Sequence, residues 1–230
     1  MTFPTPVVAL FVLLLQSVPP PASEPSIVVE RKEPTVERIL FDPKKPPADM
    51  PRLHPGEAAL CQMNFNCAVQ LKYEVIEQTT APAAGGANAN ASVSAQIRQI
   101  RMTLTLHNKI YLPRGASPKL RAHEEGHRII NERVYEKAEE VARSAAIQVL
   151  TQTFRGSGAD PDAAGKAATD QAVKQLCESY LAGTADKAHQ IGLIYDELTN
   201  HGRNTRLSEA DAIRQSFARY NAEGRDVEGK

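Results

Sequence analysis

Hydrophobic and polar residues alternate with period two in two stretches of the first half of this chain. Phe65, Cys67, Val69, Leu71, Tyr73 and Val75 are separated by polar or small residues, as in a strand with one buried face. Ile100, Met102, Leu104 and Leu106 repeat the pattern against Arg101, Thr103, Thr105 and His107. Asn108-Lys109 then reads as a turn, and Ile110-Tyr111-Leu112 as a short third strand that Pro113 ends. Between the two long runs, residues 81–91 are Ala, Gly, Asn and one Pro, a loop with nothing to bury. The expectation is a small antiparallel sheet.

Beyond residue 117 the period lengthens to that of a helix. Leu120, His123, His127, Ile130, Val134, Ala138, Val141 and Ala145 fall on one stripe. Ser117 is suited to cap the helix and Pro118 to its first position. Only Gly126 interrupts the run to Phe154, so one long helix is expected, with Arg155-Gly156-Ser157-Gly158 as its stop. Asp160-Pro161 opens a second helical region that reaches about Thr199, with Gly183 as a kink point. Asn200-His201-Gly202 suits a left-handed cap, and residues 207–220 fit one more amphipathic helix. The fold class is therefore α+β, a small antiparallel sheet followed by two long packed helices.

Composition changes this picture mainly at the front. Twelve of the sixteen prolines lie in the first 55 residues, which makes residues 23–57 read as a proline-rich linker. Ile27-Val28-Val29 is the one piece of it that could pair as an edge strand. Ahead of it, the apolar run at residues 7–15 is too short to span a bilayer but has the length of a signal-peptide core. The expected layout is a signal peptide at 1–22, the linker at 23–57, a domain at 58–205 and a helical tail at 206–230. Export to the periplasm or beyond follows, with no stable membrane insertion after cleavage. Lys and Arg balance Asp and Glu at 27 each, leaving no basic footprint for nucleic acid. In an oxidising compartment Cys61 and Cys67 could form a short-loop disulfide, with Cys177 as a buried core residue.

The candidate chemistry lies in His123-Glu124-Glu125-Gly126-His127, an H-E-x-x-H sequence. On a helix its histidines stand one turn apart on one face, so two imidazoles can reach one Zn²⁺ at about 2.0–2.1 Å. Glu124 then projects beside the ion, placed to take a proton from water as general base. The bland alternative is a pair of buried histidines satisfied by hydrogen bonds. A catalytic zinc needs a third protein ligand. His201, at a helix end before Gly202, is the first candidate; Asp186, Asp196, Glu197 and His189 are the others. Asp196 could instead orient a ligand imidazole, and Tyr195 could donate to an oxyanion or simply pack in the core.

His123-Glu124-x-Gly126-His127 together with Tyr195-Asp196-x-x-Thr199-x-His201-Gly202 resembles a bacterial family of secreted zinc-dependent proteases known as domain of unknown function 922. The likeness covers roughly residues 60–202. It implies a zincin-like peptidase with His123, His127 and His201 as ligands, Glu124 as base, and a peptide or protein as substrate. Gly183-Thr184-x-Asp186 resembles instead part of the aspartate-type zincin motif, in which Asp186 would be the third ligand; the Tyr-Gly that should follow is absent. A non-catalytic envelope protein with a structural metal site is the competing expectation. A structural site would be closed by four protein ligands, whereas a catalytic one keeps a position open.

Overall fold

Everything in the sheet is arranged on one strand. The computed structural model describes residues 25–53, 56–81 and 90–224. The expected signal segment, most of the 81–91 loop and the last six residues lie outside these. The second alternating run becomes a 24-residue strand, β4 (Asn90–Pro113), and Asn108-Lys109 is not a turn but continues it. Asn108 is fully buried there and accepts a 2.8 Å hydrogen bond from Asn131, so an apparent turn residue is a core polar pair. One side of β4 is taken along nearly its whole length by antiparallel β3 (Leu60–Ala81). The other side is taken in succession by β5 (Thr153–Gly158), β1 (Ser26–Arg31) and β2 (Thr35–Phe41).

The sheet is therefore mixed rather than antiparallel, because β1 and β2 run parallel to β4. Both come from the segment that reads as a linker. Its prolines punctuate the strands instead of interrupting them: Pro25 precedes β1, Pro34 precedes β2, and Pro43 follows β2. A proline just outside a strand removes no ladder hydrogen bond. The Ile27-Val28-Val29 expectation holds, with Ile27 against Ile100 and Val29 against Met102. The alternation of β3 holds as far as Leu71. The register then shifts at Lys72/Tyr73 and Val75/Glu77, and although Tyr73 and Val75 stand opposite the buried Ile97 and Ala95, both are exposed.

The long helix is two helices, α1 (Pro118–Tyr135) and α2 (Ala138–Leu150). Ser117 caps α1 by accepting from the Leu120 amide, as its sequence implies. Tyr135 ends it: the hydroxyl sits 2.8 and 2.9 Å from the carbonyls of Leu104 and Lys32. That bond to the sheet fixes where the chain must bend, and no local residue announces it. Residues 153–158 form β5 rather than a helix stop. Gly156 and Gly158 let α3 (Pro161–Leu181) close on the strand, since a Cβ at Gly156 would stand 2.0 Å from the Ala164 carbonyl oxygen. A π turn (Ala182–Asp186) at the expected kink leads into α4 (Lys187–Thr199), and α5 (Glu209–Ala222) closes the fold. Ala212, Ile213 and Tyr220 of α5 belong to the same core as β4 and α1, so the tail is an integral layer. The coarse class, α+β, holds. Among the described residues no helix is long and apolar enough to cross a membrane.

All three cysteines are free thiols, and the expected Cys61–Cys67 bridge does not fit the fold. Cys61 and Cys67 lie six residues apart along β3, about 20 Å at ~3.3 Å per residue, and no disulfide spans that distance. The thiol of Cys67 has that of Cys177 on α3 as its hydrogen-bonding neighbour. With glutathione disulfide as oxidant, reduced to two glutathione thiols, Cys67 and Cys177 should become linked and Cys61 should stay free. Peptide mapping after alkylation reads this, and a bridge containing Cys61 would contradict the register of β3.

Candidate metal centre

The H-E-x-x-H segment lies in the middle of α1, on the side facing β3, α4 and α5. His123 and Glu124 are buried, and His127 is partly so. The two imidazole planes stand at 84° with centroids 4.9 Å apart, and both Nε2 atoms point to one carboxylate oxygen. That oxygen is Oδ1 of Asp196 on α4, 3.1 Å from His123 Nε2 and 3.0 Å from His127 Nε2. The donor atoms of His123, His127 and Asp196 lie within 4.8 Å of one another, a set that could hold a metal ion. They open onto a cleft of about 390 Å³.

The other sequence candidates are arranged around this cluster. His201 follows Asn200 in the left-handed cap, with φ of 50°. Its Nδ1 is 3.7 Å from Asp196 Oδ1, but half of its side chain is exposed and it lies at the cleft rim, outside the three-donor cluster. His189 is also at the rim. Asp186 is exposed on the π turn and lines no part of the cleft, and Glu197 pairs with Arg219 at 2.9 Å on the surface. Asp196, one of the alternatives the sequence offers, is therefore the residue that completes the three-donor cluster. It lies one helical turn before the cap that carries His201, so the two candidates converge on the same place.

The metal-competent tautomer of His123 has its own support. Thr199 Oγ1 donates to the Tyr195 carbonyl at 2.7 Å, which leaves its lone pairs to accept from His123 Nδ1 at 3.4 Å. In the metal-free protein Nε2 donates to Asp196; a cation on Nε2 would take that place and leave the imidazole proton on Nδ1, facing Thr199. Thr199 is part of the motif in the sequence, yet nothing there shows its role. Gly126 is the second such residue. A Cβ at that position would be 2.1 Å from the Tyr195 hydroxyl oxygen, so the glycine admits the phenol against α1.

Charge is distributed unevenly over the cluster. Burial opposes ionisation of Asp196, but its hydrogen bonds to His123 and His127 hold the carboxyl well below the usual range. Burial alone would lower His127, and the Asp196 carboxylate bonded to it turns the shift upward. Burial pushes Glu124 up to about 7, helped by the charges of Asp196 and Glu57 and opposed by His127 and by the Cys61 amide. In the metal-free protein Glu124 thus holds its proton more tightly when folded, so stability falls as pH rises from the unfolded value of 4.5 towards 7. Glu124→Gln escapes that cost. The metal-free variant should match metal-free wild type below about pH 4.5 and be more stable above pH 7 by about 1–3 kcal/mol. Urea unfolding of both proteins across that range checks the sign.

No protein-family model, curated protein or solved structure matches this chain.

Proposed function

We propose that the chain is an exported zinc-dependent metallopeptidase of the zincin type. His123, His127 and Asp196 would hold the ion and Glu124 would act as general base. The observation that carries this reading is the convergence of three donor atoms within 4.8 Å beside a buried glutamate at an open cleft. Two imidazoles, one carboxylate and an open side fit a catalytic zinc site. Zinc bound there would supply Lewis acidity towards a carbonyl and acidify a bound water towards pKa 7.

The chain's own groups supply the rest. Glu124 takes the proton from the attacking water and passes it to the leaving amine, a transfer for which a carboxyl near neutrality is well matched. Thr199 holds the His123 tautomer. The free edge of β3 is suited to an extended peptide: the Cys61 amide points away from β4 towards Glu124, and Ala59, Leu60, Cys61 and Met63 line the cleft. Among the described residues no strand occupies that edge. A peptide segment could add there by main-chain hydrogen bonds, which suits a protein or peptide substrate and not a nucleic acid. The resemblance of the two motifs to secreted zinc proteases agrees, and the apolar run at residues 7–15 supports export.

A second reading, a structural metal site in a non-catalytic envelope protein, has one observation in its favour. His201 is near enough to Asp196 to approach as a fourth ligand. Hydrolysis of a broad peptide library decides between them. Wild type should cleave, lose the activity on chelation and regain it with Zn²⁺; zinc binding without cleavage of any library member would favour the structural site.

A further inference from the structure

We propose that Glu209, on the C-terminal helix α5, is a positioning residue for the metal site, acting through Tyr195 on the imidazole of His123. The inference rests on the metal reading above and concerns a residue outside both sequence motifs. Tyr195 is the wedge of the cluster. Its ring lies parallel to His123, with centroids 5.0 Å apart and planes at 11°, and meets His127 edge-on at 5.0 Å and 85°. It is fully buried, so the placement of one phenol ring constrains both imidazoles.

That ring is held from behind. The Tyr195 hydroxyl donates to Oε2 of Glu209, and Glu209 Oε1 is 2.5 Å from the Lys119 ammonium on the first turn of α1. Burial opposes the charge on Glu209, but Lys119 and the Tyr195 hydroxyl hold its carboxyl below the ordinary value. Three helices thus meet at one hydroxyl, and Gly126 provides the space for it. Glu209 sits at the first position of α5, whose start is fixed by Ser208 accepting from the Asp211 amide.

Two consequences follow for His123. The stacked ring limits its rotation and so sets the direction of Nε2. A phenol donating to a carboxylate is also more electron-rich, and such a ring face favours an imidazole that becomes positively polarised on binding a cation. Because its hydroxyl is bonded to Glu209, Tyr195 is not the oxyanion donor that its sequence position allows.

The test uses full-length protein and three variants: Tyr195→Phe, Glu209→Gln and the double variant. Zinc affinity should fall by roughly 10–100-fold in each single variant, the range for groups that orient a metal ligand. The double variant should lose no more than either single one, because both act through one hydrogen bond. The visible absorption of the cobalt-substituted protein should shift in all three alike. Thermal unfolding of the metal-free proteins reports packing separately. Unchanged zinc affinity and cobalt spectra, or losses that add in the double variant, would overturn the positioning role. If wild type itself bound no zinc, the metal reading would fail first, and with it this inference.

Discussion

Glu124→Gln should bind zinc as wild type does and lose peptide hydrolysis by roughly 10²–10⁴-fold, the usual contribution of a positioned general base. The substitution keeps size and hydrogen-bonding reach and removes only the ability to accept a proton. Glu124 is not one of the three convergent donors, so metal content should not change. Its carboxyl is buried, and the Cys61 amide of β3 faces it. The glutamine can keep that bond, which makes a folding defect a poor explanation for lost rate. Activity of the zinc-loaded variant at or near wild type would remove Glu124 from the mechanism.

Asp196→Ala should lower zinc affinity by more than about 100-fold, beyond what loss of an orienting partner costs. His201→Ala should cost about 10-fold or less. The contrast follows from position. Asp196 Oδ1 lies within 3.1 Å of both Nε2 atoms, whereas His201 reaches only Asp196, at 3.7 Å. Competition titration with a chromogenic chelator measures both. If His201→Ala were the more damaging, the ligand set implied by the motif resemblance would replace the one proposed here.

The first helix and its histidine pair were legible in the sequence because their signals are local. A capping serine, a proline at the first position and two histidines four apart specify α1 and its face without help from elsewhere. The left-handed cap at Asn200-His201-Gly202 is equally local, and all three residues do have positive φ. What was hidden depends on distant partners. Thr35–Phe41 has no clean alternation and lies among prolines, yet β4 recruits it as a parallel strand. The break after Tyr135 comes from carbonyls on β1's exit and on β4. Asp196 could not be chosen over His201 from sequence, since both sit near the end of one helix. Only the packing of α4 on α1 shows which reaches the histidines. Glu209 carries no motif and lies eighty-six positions beyond His123.

The central claim is an open metal site built from His123, His127 and Asp196, and X-ray absorption of the zinc-loaded protein tests it most directly. The edge and its fine structure distinguish imidazole from oxygen ligands and count both. Two imidazoles with oxygen ligands from Asp196 and water are the expected result, at about 2.0–2.2 Å. A shell of three imidazoles and one carboxylate with no water would place His201 on the metal, close the site and contradict the account.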